Sequence, residues 1–202
     1  MKQAGQKYSI RVGIIGEQAA QIHPDTNLTN AELGAVHEFG ATINHPGGQP
    51  YIIKDGRAVF ISKGTELGRK LIAKGQVTKA HQIVIPTRSF LRSTLLSADG
   101  KNRLMTYVEG QLGGEISADK WVNEYLYGDK LNQDGFMQKI ADTVGDTALN
   151  MVQEAFSEGG SPDKWKPITP YTKKHRRNDP DNPPLQDSGD LMDSITAEVK
   201  KI

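Results

Sequence analysis

The sequence predicts an α+β fold: a small, mostly antiparallel β-sheet packed by two or three α-helices, with long polar loop extensions. Three observations support this class. Apolar residues alternate at period two in several short runs, and apolar stripes at helical spacing occupy longer segments. Polar stretches rich in glycine and proline separate these runs. The length of 202 residues suits one domain spanning 1–202.

Alternating or continuous apolar runs predict five short strands. Tyr8, Ile10 and Val12 fall on one face of the first run. The clearest local signal is Asp55-Gly56 between two apolar runs, because this pair suits a type I′ hairpin turn. We expect one sheet that contains both the first and the last of these strands. The predicted strands cover 8–15, 51–54, 57–61, 82–85 and 195–200.

Capping signals and apolar stripes predict the helices. Thr29 and Glu32 form a capping box that opens a short helix, and Gly40 is placed to end it. Pro86 ends a predicted buried strand, and Ser89 can then cap a helix. The longer helices are predicted over 89–112, with a possible break at Asp99-Gly100, over 117–128, where Trp121 and Tyr125 are expected in the core, and over 133–157, which has the strongest stripe.

Three polar stretches are predicted to be extended loops, at about 41–50, 62–81 and 158–187. The second has a weak helical pattern of leucine and isoleucine. The third lacks periodicity and contains the only concentrated basic run, 173–177. That run has three interpretations: a solvated loop, a nucleic-acid contact, or a docking arm that meets an acidic surface on a neighbouring subunit.

Composition excludes several classes of function. The 25 basic and 24 acidic residues give a formal charge of +1, so bulk charge does not indicate binding to nucleic acid or an anionic membrane. The chain has no cysteine, which excludes disulfides and thiolate chemistry. No apolar signal region follows the polar N-terminus, and no run approaches the roughly 20 apolar residues of a membrane span. We expect a soluble protein used in a cytoplasm or built into a particle there.

Catalytic motifs are not found in the sequence. It has no phosphate loop, no Gly-x-Ser-x-Gly elbow and no glycine-rich dinucleotide turn, and its carboxylates are scattered. We therefore predict no enzyme and no cofactor. One alternative is a metal-dependent hydrolase with His23, His37 and His45 as ligands and Glu38 as base, although the two-histidine helical zinc motif is absent.

Two arginines lie at the predicted strand-to-helix junction. Arg88 precedes the cap and Arg92 lies in the opening turn, where the helix dipole disfavours positive charge. This placement indicates that they serve a partner. The alternative is that they are solvated or paired with local carboxylates.

Several patches of the sequence resemble the tail-completion and neck proteins of tailed bacteriophages, also described as virion morphogenesis or head–tail joining proteins. The resemblance lies in the run from Thr29 to Ile43, in Ile85 to Arg92, and in a closing segment with Trp165-Lys166-Pro167, Thr172 to Lys174 and Pro184 to Ile195. The stretch 44–82 is longer than in the simplest members of this family.

The resemblance implies a non-enzymatic virion protein, assembled in the host bacterial cytoplasm, that completes the tail end or neck of a phage or prophage. Its implied partners are copies of itself in a ring, neighbouring connector and tail-tube or terminator proteins, and DNA passively in the channel. It implies core roles for Phe39, Phe90, Leu91 and Leu191, and backbone-geometry roles for Gly40 and Gly189. The candidate intersubunit or DNA-facing contacts are Arg88, Arg92, Trp165, Lys173, Lys174, Arg176 and Arg177. For Trp165 the alternative is a position in the core of its own subunit.

Overall fold

The computed structural model describes residues 7–24, 26–115, 133–176 and 178–202. It confirms the α+β class, since helices are combined with small antiparallel sheets. The chain forms two compact units. Residues up to 39 and from 87 onward make up one, called here the main unit, and residues 40–86 make up the inserted unit. The predicted helix over 117–128, with Trp121 and Tyr125, lies outside the described residues.

The elements follow one another with short connections in most places. In chain order they are β1 (Tyr8–Gly13), α1 (Glu17–Ala20), α2 (Asn30–Phe39), β2 (Ala41–His45), β3 (Tyr51–Lys54), β4 (Arg57–Phe60), α3 (Glu66–Ala73), β5 (His81–Ile85), a π-helical turn (Arg92–Leu96), α4 (Ala98–Glu115), α5 (Gln133–Glu158), α6 (Pro170–Lys174), α7 (Asp190–Asp193) and β6 (Thr196–Lys201).

The strands in the described part of the chain form three separate antiparallel pairs, so the expected single sheet is wrong. In the main unit β1 pairs with β6, so the first and last strands share a sheet, as predicted. In the inserted unit β2 pairs with β5 and β3 pairs with β4. The Asp55-Gly56 turn joins β3 to β4, as predicted. The partner of β5 was not predicted, because alternation shows that a segment is extended and not which segment lies beside it. The one strand that the sequence did not predict, β2, falls inside the predicted loop 41–50.

The core of the main unit forms where side chains from distant parts of the chain pack against α5. Val152 and Phe156 are fully buried on α5, four residues apart on one face. The ring centroids of Phe156 and Phe90 are 5.1 Å apart. Phe156 also packs edge-on against Trp165, with ring centroids 5.5 Å apart. Leu191 completes this cluster. The predicted stripe of α5 and the core roles of Phe90 and Leu191 are confirmed.

Local signals placed most helix ends correctly. The capping box forms, since the Glu32 carboxylate accepts from the Thr29 amide at 2.8 Å and the Thr29 hydroxyl accepts from the Glu32 amide at 3.2 Å. Gly40 has φ 73° where α2 ends, and Gly189 has φ 93° before α7. Asp55 and Gly56 both have positive φ, as a type I′ turn requires.

The predicted helix over 89–112 is interrupted earlier than expected. Its first turn is π-helical, and α4 begins after Ser97, whose hydroxyl accepts from the Gly100 amide at 3.0 Å. A Cβ on Gly100 would lie 2.0 Å from the carbonyl oxygen of Thr94. The glycine therefore belongs to the break because it permits this close backbone approach.

Candidate functional site

The Glu38 carboxylate binds the N-terminal end of the π-helical turn. Its Oε2 accepts from the amides of Phe90 and Leu91 at 2.8 and 3.0 Å. Its Oε1 accepts from the Ser89 hydroxyl at 2.7 Å, and from the amide and Nε of Arg92 at 3.0 Å each. We call this set, Glu38 with residues 89–92, the root clamp. It supplies acceptors for amides that a helix start otherwise leaves unpaired.

Burial and hydrogen bonding act in opposite directions on Glu38, which is only 4% exposed. Burial raises the pKa of the carboxyl, but the bonds from Ser89, Leu91, Arg92 and Phe90 together hold this pKa below its usual value. The carboxylate is therefore ionised at neutral pH and fully occupied. This arrangement does not suit the general-base role considered for Glu38. It also corrects the interpretation of Arg92, whose charge is compensated within the chain.

The root clamp lies where the chain leaves the main unit and returns to it. The Thr87 hydroxyl donates to the carbonyl of Phe39 at 3.1 Å, and the Arg88 amide donates to the carbonyl of His37 at 2.7 Å. The Arg92 guanidinium stacks 4.3 Å from the centroid of the Phe39 ring. Phe39 is exposed, so its predicted core role is wrong. These contacts hold the two connections of the inserted unit together.

The inserted unit exposes an apolar face on its β3–β4 hairpin. Tyr51 is paired with Phe60 and Ile53 with Ala58, so all four side chains lie on one face. We call this set the apolar hairpin face. Ile53 and Phe60 are each 61% exposed. The opposite face carries Lys54 and Arg57 beside two aliphatic residues, as in a face that meets water.

Apolar exposure extends over the rest of the inserted unit. This unit holds eight of the seventeen large apolar side chains that are exposed in the described part of the chain. Ile83 and Val84 are among them, which corrects the prediction of a buried strand. All of residues 40–86 are described, and Leu71 is their one large aliphatic side chain in the buried core. A unit with so little core is expected to gain stability from further burial.

The two units carry opposite net charge. The inserted unit has seven lysines and arginines against two acidic residues, whereas the remaining sequence has eighteen basic and twenty-two acidic residues. The near-neutral total therefore hides an asymmetry of about +5 against −4. Opposite charges on two protein surfaces speed their association and make it more specific.

Two of the candidate contact residues are buried within the main unit. Trp165 is 8% exposed, and its Nε1 donates to the carbonyl of Ser89 at 3.1 Å. Arg88 is also 8% exposed. Tertiary packing covers both side chains, which corrects the prediction for Arg88 and, of the two alternatives for Trp165, supports a position in its own core.

The basic run is largely engaged within its own segment. Lys173 pairs with Asp181, and the Arg176 guanidinium donates to the carbonyls of Asn182 and Pro183. Lys174 is exposed at the end of α6, and Arg177 lies outside the described residues. The expectation of a structureless stretch over 158–187 is wrong for the described part, since α6 and the buried Trp165 belong to it.

The histidines of the metal hypothesis are divided between the two units. His23 and His37 belong to the main unit, whereas His45 stacks on His81 in the inserted unit, with ring centroids 4.9 Å apart. The His45 Nδ1 accepts from the amide of Gly47 at 3.0 Å. No group of three metal-ligating side chains of the kind that holds a metal ion occurs in residues 7–24, 26–115, 133–176 and 178–202. Within the same ranges, none of the helices combines the length and apolarity that crossing a bilayer demands.

Sequence reasoning missed the structural role of Glu38, although one signal was available. Glu38 lies in the last turn of α2, where the helix dipole disfavours a negative charge. Arg92 lies where a positive charge is disfavoured. Each charge is unfavourable at its own helix terminus, and the ion pair between Glu38 and Arg92 explains both placements.

Comparison with protein-family models, with curated proteins and with solved structures found no match to this chain.

Proposed function

We propose that this chain is a non-enzymatic structural subunit that assembles with copies of itself into a ring. In this proposal the ring completes the tail end or neck of a tailed phage or prophage virion and helps to join tail to head. Its neighbours are connector and tail-tube or terminator proteins, and DNA passes through the channel with only passive contact. The particle is assembled in the host bacterial cytoplasm.

The apolar hairpin face is the observation that carries this proposal. Exposed apolar patches on a soluble subunit mark interaction surfaces. A two-stranded hairpin is marginally stable in water by itself, so covering its apolar face stabilises both the hairpin and the contact. Phe60 and Ile53, each 61% exposed, are the anchors that such a contact would bury.

The charge asymmetry supports another copy of the chain as the partner. A contact between the positive inserted unit and the negative main unit of a neighbour joins two different surfaces. Repeated contacts of this heterologous kind close into a ring when the rotation between copies allows it. The root clamp supports the same proposal, because it fixes both connections of the inserted unit.

The resembling patches supply the argument for a virion. Leu33, Phe90 and Leu191 each come from a different patch, and all three belong to the same hydrophobic cluster. Each patch therefore contributes a side chain to one hydrophobic cluster, as expected if the patches derive from one family of domains. This convergence supports the tail-completion or neck assignment over a chance similarity of short runs.

The test compares the oligomeric state of the full chain with that of two double variants. Ile53→Lys with Phe60→Lys places charge on the apolar hairpin face, and sedimentation velocity should show monomers. The matched control, Lys54→Gln with Arg57→Gln, changes two residues on the opposite face of the same hairpin and should keep the ring. A ring that survives the lysine substitutions would contradict the proposal.

Nucleic-acid binding through the basic run 173–177 remains the rival function. It predicts retention on immobilised DNA that falls steeply as salt is raised. Under the proposal, Lys173→Gln with Lys174→Gln leaves the sedimentation coefficient unchanged and retention is weak throughout. Strong, salt-sensitive retention that this double variant abolishes would favour the rival.

A further inference from the structure

The pair of strands β2 and β5, called here the β2–β5 ribbon, carries no lysine, arginine, aspartate or glutamate in its ladder. The other two strand pairs differ from it in this respect. The β1–β6 pair includes Arg11 and Glu198, and the β3–β4 pair includes Lys54 and Arg57. Charged side chains on edge strands commonly prevent pairing with another chain. The β2–β5 ribbon lacks this protection.

Both faces of the β2–β5 ribbon are exposed at its centre. Ile43 and Ile83 are exposed on one face, and Val84 is 67% exposed on the other. All of residues 40–86 are described, and neither strand pairs with a third strand of the described chain. The outer edges therefore present N–H and C=O groups that a further strand can pair. Because a two-stranded ribbon is marginally stable in water, such a strand would stabilise it.

The side-chain pairs within the ribbon indicate which strand fits its edges. Three of these pairs join residues of like character, namely Ile43 with Ile83, Asn44 with Gln82 and His45 with His81. The side-chain amides of the second pair are hydrogen-bonded at 3.1 Å, and the rings of the third pair are stacked. The two strands have five residues each and are fully in register. A β5 strand from a second copy would therefore repeat these matched pairs at the outer edge of β2.

We infer that the β5 edge of one copy pairs antiparallel with the β2 edge of the next, so that the ribbons form one continuous sheet around the ring. This inference rests on the proposed ring and names the backbone contact between neighbouring copies. Because β2 and β5 are already antiparallel, this pairing leaves successive copies pointing the same way. The contact is thus heterologous and repeats until the ring closes. Antiparallel pairing of β5 with β5 is isologous and would end at a dimer.

The strand pairing and the apolar hairpin face have different tasks in this assembly. Backbone hydrogen bonds between strands fix the register of one copy against the next. The apolar hairpin face supplies apolar area to bury, which a pairing of five-residue strands provides only to a small extent. Loss of the apolar contact is therefore expected to dissociate the ring even though the strand edges are unchanged.

Hydrogen exchange of the full chain, followed by mass spectrometry above and below the assembly concentration, tests the inference. Peptides covering 41–45 and 81–85 should both exchange about tenfold or more slowly on assembly, because their outward amides become hydrogen-bonded. Assembled rings in which one or both peptides gain no protection would overturn the inference and leave the proposed ring standing. A chain that stays monomeric at every concentration would overturn both.

Two substitutions at Val84 form a matched pair for the same question. Val84→Lys places a charge on the edge strand and should raise the concentration needed for half assembly about tenfold or more. Val84→Thr keeps an uncharged, β-branched side chain and should assemble like the wild type. Sedimentation velocity measures both. Equal assembly of the two variants would contradict the pairing of this edge.

Engineered cysteines identify the strands that meet, because the chain has no cysteine of its own. Ile43→Cys and Ile83→Cys are mixed while dissociated, allowed to assemble and then oxidised. The mixture should give disulfide-linked dimers, since residues opposite each other on paired strands lie within disulfide reach, and each variant alone should give none. Linked dimers from Ile83→Cys alone, or none from the assembled mixture, would overturn the inference.

Discussion

Glu38 and Arg92 form an ion pair at 3.0 Å across two helix termini that are each unfavourable for the charge they carry. The carboxylate lies near the C-terminal end of α2, and the guanidinium lies in the first turn after Ser89. The carboxylate accepts three consecutive backbone amides as well as the arginine. The pair therefore joins α2 to the returning chain at the root of the inserted unit.

Glu38→Gln should lower the free energy of unfolding by about 3 kcal/mol, because it leaves buried donors without their charged acceptor. Urea unfolding followed by circular dichroism measures this change. Glu66→Gln is the matched control, since Glu66 forms an exposed ion pair with Lys70 and should cost no more than about 0.5 kcal/mol. Equal losses in the two variants would contradict the assigned role of the root clamp.

His37 makes folding stability depend on pH. Its pKa falls from 6.5 to about 4 on folding, through burial and the charges of Arg88 and His23. The unfolded chain therefore takes up a proton first as the pH falls, and stability is lost between pH 6.5 and about 4, by about 3 kcal/mol in full. The folded state therefore keeps its full stability with respect to His37 above pH 6.5.

Urea unfolding of wild type and His37→Gln at several values between pH 7 and pH 4 measures this effect. The variant should show a clearly shallower loss of stability over this range, because it has no imidazole to protonate. Identical slopes in wild type and His37→Gln would contradict the low pKa.

Two glycines on α4 should respond oppositely to alanine. A Cβ at Gly100 would meet the Thr94 carbonyl oxygen at 2.0 Å, whereas nothing lies within 4 Å of a Cβ at Gly110. Gly100→Ala should cost about 2 kcal/mol of unfolding free energy through overpacking. Gly110→Ala should add about 0.5 kcal/mol through helix propensity. Thermal unfolding of both variants checks the signs, and a stabilised Gly100→Ala would show that the break before α4 is not tightly packed.

Trp165 should hold the segment that follows it against the main unit. Trp165→Ala removes its contact with Phe156 and its bond to Ser89, at a cost of about 3 kcal/mol. Limited proteolysis, followed by mass spectrometry, should then show faster cleavage between residues 166 and 189. Tyr171→Ala is the control, because Tyr171 is 72% exposed and stacks only on His175. Equal cleavage in both variants would contradict the anchoring role.

The parts of the fold that the sequence predicted correctly depend on residues close together in the chain. The Thr29 and Glu32 capping box and the Asp55-Gly56 turn form within four residues, so each pattern contains its own interaction. The apolar stripe of α5 was also predicted correctly, because the burial of one helix face is reflected in the spacing of apolar residues within that helix.

The parts that failed depend on partners distant in the chain. Glu38 meets residues more than fifty positions away, and no local pattern shows such a bond. Arg88 was assigned to a partner surface and Trp165 was left open between such a surface and the core, because charge and aromaticity describe a side chain without its surroundings. Their burial follows from tertiary packing. The division of the strands into separate pairs also depended on pairing that alternation does not specify.

The central claim is that exposed apolar surface on the inserted unit joins copies of this chain into a closed ring. Native mass spectrometry of the full chain over a range of concentrations tests it most directly. The account predicts one dominant species of three or more subunits of 22.1 kDa with no continuing series of larger assemblies, and its loss in Ile53→Lys with Phe60→Lys. A monomer at every concentration, or an assembly that this double variant leaves intact, would contradict the claim.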